Sequence, residues 1–264
     1  MSTAISRLRL PADFFYQLSR ASVRALLLDY DGTLAPFTAD RDHAAPYPGV
    51  TERLRCIVQE CDTRVIIVSG RPARDIPRLL GLDLPLEIWG CHGCERLFAD
   101  GAYQCETLDT ARQDGVAEAL EWLESEGLSR RIELKPSGVA VHWRGLPAGE
   151  ARETRVAAYR ALWPLRRLRV PLTEFDGGLE LRATERDKGY VVRTLLRELG
   201  RDACLACLGD DATDEDAFRA LKGHGLSLLV RPDFRPTMAD LWIKPPDELV
   251  RFLRHWAEMC GGVP

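Results

Sequence analysis

Three short apolar runs organise this chain, over residues 23–28, 65–68 and 204–208, and each gives way at once to polar groups. They lead into Asp29, into Ser69-Gly70-Arg71 and into Gly209-Asp210-Asp211. Runs of this kind read as strands buried on both faces, as in a parallel sheet, and open α/β sheets place ligands beyond the carboxyl ends of such strands. The three polar ends are therefore expected at one edge. Between the first two runs, residues 49–61 set Val50, Leu54, Ile57 and Val58 on one helical face, which supplies a βαβ crossover. The same reading predicts a short strand over 87–89, a helix over 188–199, a strand over 226–230 and a closing helix over 248–259. Together these make a doubly wound α/β sheet.

The middle of the chain breaks that rhythm. A helix is predicted over 109–127, then a strand over 131–135, a turn at Pro136-Ser137-Gly138 and a strand over 139–144, where Val139, Val141 and Trp143 alternate with Ala140, His142 and Arg144. A helix over 150–163, a strand over 172–175, the turn Asp176-Gly177-Gly178 and a strand over 179–182 repeat the plan. The duplicated αββ unit predicts a compact antiparallel sheet with helices on one side, inserted as residues 109–183 into a core of 1–108 and 184–264. A lid is the expected use of such an insertion, since an enzyme that forms an acyl phosphate gains from excluding bulk water.

Composition narrows the partners. The formal net charge of -4 over 264 residues offers no basic footprint for nucleic acid, which leaves a small molecule as the expected partner. No stretch approaches the length of a membrane span, and the opening residues 1–10 carry Arg7 and Arg9 without an apolar segment, so a cytoplasmic protein is expected. No oligomeric state follows from the pattern. Of the 8 cysteines, Cys91-x-x-Cys94 and Cys204-x-x-Cys207 mimic two halves of a zinc site. Residues three apart on a strand face opposite sides, so Cys204 and Cys207 are expected to be buried thiols and not ligands of one ion. The stretch with Arg152, Arg155, Arg160, Arg166, Arg167 and Arg169 is interspersed with Glu150 and Glu153 and reads as a solvated face.

The chemistry lies in Asp29-Tyr30-Asp31-Gly32-Thr33. In extended chain, residues two apart project to one side, so Asp31 can approach the same substrate as Asp29. One acid can attack while its neighbour moves protons, which points to phosphoryl transfer through an aspartyl intermediate. Gly32 permits a sharp turn, and Thr33 offers a hydroxyl to a phosphate oxygen or to a helix start. A carboxylate attacking a phosphate meets repulsion, so a divalent cation and fixed positive charge are expected. Asp29, the carbonyl of Asp31 and Asp210 supply hard oxygens suited to magnesium, with Asp214 and Asp211 in support. The acids of residues 210–216 also suit the first turn of a helix, but a helix dipole accounts for one or two of them and not five. Lysine occurs only at 135, 188, 222 and 244. Lys188 opens a predicted helix, where a flexible ammonium suits a phosphoryl oxygen.

In order along the chain, Asp29-x-Asp31-Gly-Thr, Ser69, Lys188 and Gly-Asp210-Asp211-x-x-Asp214 resemble the motifs of the haloacid dehalogenase-like (HAD) phosphatases. That resemblance implies Asp29 as nucleophile, Asp31 as general acid and then base, Ser69 and Lys188 as phosphate clamps, and magnesium between Asp29 and Asp210. Within the superfamily, the stretches from Asp29 to Pro36, Val68 to Arg71, Gly90 to Glu95, Val141 to Arg144, Leu179 to Arg182 and Gly209 to Phe218 resemble the trehalose-6-phosphate phosphatases. Their cap is also a twice-repeated αββ unit. The resemblance implies Thr33, Gly70, Arg71, His92, Glu95, Lys135, His142 and Glu180 as substrate-binding residues, with His92 and His142 open to the alternative of core imidazoles bonded to nearby backbone. The chain departs from the family at Trp143, Ala183 and Tyr190, where a tyrosine, a proline and a smaller residue are common. Other readings of the same core and cap are a phosphatase for another sugar phosphate such as sucrose 6-phosphate, a sugar phosphomutase, and a silent sugar-phosphate sensor.

Overall fold

The computed structural model describes residues 10–38, 40–168, 170–175, 177–200 and 202–262. Residues 1–9, Asp176, Arg169 and the side chains of Arg166 and Arg167, on which the sequence raised expectations, lie outside the described residues. In chain order the elements are α1 (Ala12–Arg20), β1 (Arg24–Leu28), α2 (Val50–Glu60), β2 (Arg64–Val68), α3 (Ile76–Leu80), β3 (Glu87–Gly90), β4 (Glu95–Leu97) and β5 (Tyr103–Cys105). There follow α4 (Thr110–Ser125), β6 (Ile132–Lys135), β7 (Gly138–His142), α5 (Ala148–Leu162), β8 (Leu172–Phe175) and β9 (Gly178–Arg182). The chain closes with α6 (Lys188–Leu199), β10 (Cys204–Gly209), α7 (Asp214–Leu221), β11 (Leu226–Val230), β12 (Leu241–Ile243) and α8 (Asp247–Met259). It divides into two compact units, Met1–Tyr103 with Asp187–Pro264, and Gln104–Arg186.

The first unit is built on an eight-stranded sheet in the order β12-β11-β10-β1-β2-β3-β4-β5, parallel from β12 to β3. Period-two alternation splits each central strand between two cores. On β1, Leu26 and Leu28 pack with Val50, Leu54 and Ile57 of α2 and Phe252 and Trp256 of α8, whereas Ala25 and Leu27 pack with Val191 and Leu195 of α6 and Phe218 of α7. Full burial of side chains of this size contributes about 1.5–3 kcal/mol each, so the runs that look featureless in sequence hold the two helical layers on the sheet. Cys204 joins the first of these cores and Cys207 the second, as their spacing requires, and neither can share an ion with the other. All 8 cysteines are free thiols.

An ionic network centred on the buried Arg96 and Glu87 ties the exposed Glu198 of α6 to strands β3 and β4. Arg96 of β4 donates to Glu198 of α6 at 2.6 and 2.7 Å and to Glu87 of β3 at 2.9 Å, while its guanidinium lies over the rings of Trp89 and Phe98. Hydrogen bonds from Arg96, reinforced by Arg64, hold the Glu198 carboxyl below its ordinary pKa. A depressed carboxyl stabilises the fold above its unfolded pKa and loses that contribution as pH falls through the folded value. Because Glu198 is exposed and its pairs are screened by solvent, Glu198→Gln is expected to cost no more than about 1 kcal/mol at pH 7 and almost nothing near pH 3, read from urea unfolding at both pH values.

The second unit is a four-stranded antiparallel sheet in the order β6-β7-β9-β8. Val139 and Val141 of β7 lie opposite Leu181 and Leu179 of β9, and these four share a core with Ala119 and Leu123 of α4 and Ala158 and Leu162 of α5. The strand β7 ends at His142, so Trp143 and Arg144, expected within it, lie beyond its end. There their N–H groups both donate to the carbonyl of Gly177. Among the described residues no helix is long and apolar enough to cross a membrane.

Candidate active site

Asp29, Ser69 and Asp210 follow directly on β1, β2 and β10, which lie side by side in the sheet. The topology thus brings the three polar ends to one edge. Asp29, Asp210 and Asp214 offer carboxylate oxygens that all lie within 4.8 Å of one another, and all three residues are buried. Lys188, the first residue of α6, donates to Asp29 Oδ1 at 2.6 Å and to Asp214 Oδ1 at 2.7 Å. Thr33 Oγ1 donates to the other Asp29 oxygen at 3.1 Å. Asp214 also turns Oδ2 back to the N–H groups of Asp210 and Asp211, at 3.1 Å each, and so fastens the start of α7 to the end of β10.

Three buried carboxylates share one ammonium, and the charge does not balance. Burial, reinforced by Asp214 and opposed by Lys188, pushes the Asp29 carboxyl up to about 8. Burial and the charge of Asp29 raise Asp210 well above the carboxylate range, and burial with Asp211 raises Asp214 against the pull of Lys188. Burial alone would lower the Lys188 pKa, but Asp214, Asp29 and Asp211 outweigh it and raise it well above its ordinary value. A low-dielectric cluster of hard oxygens short of positive charge suits a divalent cation of the magnesium or calcium type. Asp211, expected in support of these acids, accepts from the N–H and hydroxyl of Thr213 at 2.8 and 2.7 Å; it lies outside the group of three but close enough for its charge to raise Asp214 and Lys188.

Asp31 is held from the loop that follows β2. Its carboxylate forms a two-bond pair with Arg71, at 2.6 Å to Nε and 2.7 Å to Nη2, while Arg71 Nη1 donates to the carbonyl of Arg41. Gly32 explains the tight turn between them and Thr33: its φ is +84°, and a Cβ there would lie 2.3 Å from Asp210 Oδ2. The Ser69 hydroxyl accepts from the N–H of Arg71 at 3.2 Å. Behind it, Cys91 and His92 adopt φ of +47° and +58°, a strained conformation for side-chain-bearing residues. The N–H of Cys91 donates to Arg71 and that of His92 to Ser69, both at 2.9 Å, and the His92 ring lies so close over Gly70 that a Cβ there would meet it at 2.7 Å. Glu95, expected among the sugar ligands, faces inward and accepts from the N–H of Ala73 at 2.9 Å, Cys91 Sγ at 3.2 Å and Tyr103 at 2.5 Å. Its carboxylate braces the strained loop.

The remaining residues meet in the second unit. Strand register places Glu133, Ala140 and Glu180 in one cross-strand row on the face away from the helices. Lys135 Nζ donates to Glu180 at 3.1 Å and lies 3.9 Å from Glu133, and His142 Nε2 is 2.8 Å from Glu133. Glu133 was missed from sequence, although its position two residues before Lys135 on a strand puts both on one face.

The trehalose-phosphatase family profile matches residues 27–238. The chain belongs to the trehalose-phosphatase family. The trehalose-phosphate phosphatase of Mycolicibacterium paratuberculosis is 35% identical over 252 residues, covering 89% of this chain and 62% of that protein. An uncharacterized glycosyl hydrolase of Mycobacterium tuberculosis is 35% identical over 246 residues, covering 88% of this chain and only 18% of its own length. The chain thus spans less than two thirds of these relatives. The solved trehalose-6-phosphate phosphatase of Aspergillus fumigatus superposes with a TM-score of 0.66 at 26% identity, over 94% of this chain and 97% of that one. Haloacid dehalogenase-like hydrolases share the fold. Within this family, the acids and lysine at the sheet edge belong to the stretch that the profile covers.

Proposed function

We propose that this member of the trehalose-phosphatase family is a magnesium-dependent phosphatase that hydrolyses trehalose 6-phosphate to trehalose and phosphate. The observation that carries the proposal is the buried Asp29 carboxylate gripped by Lys188 beside Asp210 and Asp214, at the carboxyl edge of a parallel sheet. An Asp29 oxygen attacks phosphorus, the bond from phosphorus to the sugar oxygen breaks, and Asp31 gives the leaving oxygen its proton. Asp31, oriented by Arg71, then takes a proton from water as that water attacks the phosphoaspartate, which releases phosphate and restores the carboxylate. Lys188, Ser69, Thr33 and the backbone at Gly70 hold the phosphoryl oxygens. Asp29, the carbonyl of Asp31, Asp210 and Asp214 would hold magnesium, which offsets the repulsion between carboxylate and phosphate when bound. A complex with beryllofluoride tests the covalent step: the adduct is expected on Asp29, and an adduct on any other carboxylate would reassign the nucleophile.

Recognition of the sugar is assigned to Lys135, His142 and Glu180, with Glu133 beside them. Carboxylates accept from sugar hydroxyls, and a buried lysine between two of them donates. Glu180→Ala is expected to lower kcat/KM for trehalose 6-phosphate by about 10²-fold, equivalent to about 3 kcal/mol, while hydrolysis of a small aryl phosphate survives. Equal losses on both substrates would make Glu180 a structural partner of Lys135 and nothing more.

A further inference from the structure

Two arginines beyond β11 grip the backbone of the acidic loop. Arg231 Nη1 donates to the carbonyl of Asp210 at 3.2 Å, Arg235 Nε donates to that same carbonyl at 3.3 Å, and Arg235 Nη2 donates to the carbonyl of Asp211. Arg235 Nη1 also lies 2.7 Å from Glu215, whose other oxygen accepts from the N–H of Met238 at 2.7 Å. On the other side, the N–H groups of Asp210 and Asp211 both go to Asp214. The peptide groups around Asp210 are therefore held through their donors by an acid and through their acceptors by guanidinium forks.

The support is itself anchored. The N–H of Arg231 donates to Ile243 at 3.0 Å, Trp242 Nε1 donates to the carbonyl of Arg231 at 2.9 Å, and Phe234 packs edge-on against Trp242 at 5.4 Å between ring centres. A guanidinium has a planar set of donors that can serve two acceptors at once, which an ammonium on a flexible stem does poorly. Ligand placement in a cation site is set by the groups behind the ligands as much as by the ligands.

We propose that Arg235 is a positioning residue for the divalent cation. It touches neither cation nor substrate, and acts by fixing, through the carbonyls of Asp210 and Asp211, the direction from which the Asp210 carboxylate meets Asp29. This rests on the magnesium reading of the site. The test is a magnesium titration of the full chain, followed both by thermal unfolding and by phosphate release, for the wild type, R235Q, R235K and, as a surface control, R219Q. R235Q is expected to raise the magnesium concentration for half-maximal stabilisation and half-maximal rate by about 10-fold or more, with kcat at saturating magnesium within about threefold of wild type. R235K should fall between, and R219Q should match the wild type. A folded R235Q with the wild-type titration overturns the inference. Should R235Q fail to fold, R231Q, which removes one of the two bonds to the Asp210 carbonyl, must show a smaller shift in the same direction, and its absence overturns the inference equally. A wild type whose unfolding temperature does not respond to magnesium would sink the magnesium reading, and this inference with it.

Discussion

Asp29→Asn is expected to abolish phosphate release, by at least about 10⁴-fold, while the protein folds as before. The amide nearly preserves the volume of the carboxylate in a site that is 5% exposed; its carbonyl oxygen can still accept from Lys188, and its NH2 can donate to the Thr33 hydroxyl in place of the bond that Thr33 makes to the second carboxylate oxygen. What it lacks is the anionic oxygen that forms the bond to phosphorus. Circular dichroism and the unfolding midpoint check the fold, and single-turnover phosphate release checks the chemistry. A rate within tenfold of wild type would remove Asp29 from the covalent step.

Lys188→Met carries the other large effect, because one ammonium stands between two buried carboxylates. Removing one partner of a buried ion pair typically costs about 3–5 kcal/mol, and here the loss also takes away a positive charge facing the phosphoryl group, so activity should fall by about 10³-fold. The cost depends on pH with a definite sign. Carboxyls whose folded pKa is raised contribute stability below their unfolded pKa that is lost as pH rises through the folded value, and Asp29 is already raised to about 8 with the lysine present. Without it, Asp29 and Asp214 are raised further. The destabilisation, measured by urea unfolding in the presence of a chelator, should therefore be smallest near pH 5 and grow as pH rises through about 8, so that it is clearly larger at pH 9. Equal costs at the two pH values would contradict this charge assignment.

The parts of the site legible in sequence are those written by strand periodicity. Residues 23–28, 65–68 and 204–208 lie on adjacent parallel strands, and the motif after each one reaches the same edge because connections in a doubly wound sheet leave no other arrangement. Lys188 was legible from its place at the start of a helix after the duplicated αββ segment. The α1 helix and the three-residue strands β4, β5 and β12 were not, since so short an exposed strand as β5 carries no alternation to read. Side-chain direction was also hidden. Strand spacing put Asp31 within reach of the same substrate as Asp29, but nothing in the pattern announced that Arg71, beyond the neighbouring strand, takes its carboxylate in two bonds. Glu95 reads as a polar ligand, yet it is needed to hold Cys91 and Ala73 in a strained loop. Arg231 and Arg235 bond to backbone carbonyls, which have no sequence of their own, so nothing in the residue pattern announces them.

The most direct test of the account is phosphate release by the purified chain, with magnesium and without any bisphosphate activator, from trehalose 6-phosphate, sucrose 6-phosphate, glucose 6-phosphate and glucose 1-phosphate. Turnover of trehalose 6-phosphate is expected to exceed the others by about 10²-fold or more in kcat/KM and to vanish with chelator. Preference for another sugar phosphate, or phosphate release that is indifferent to chelation, would contradict it.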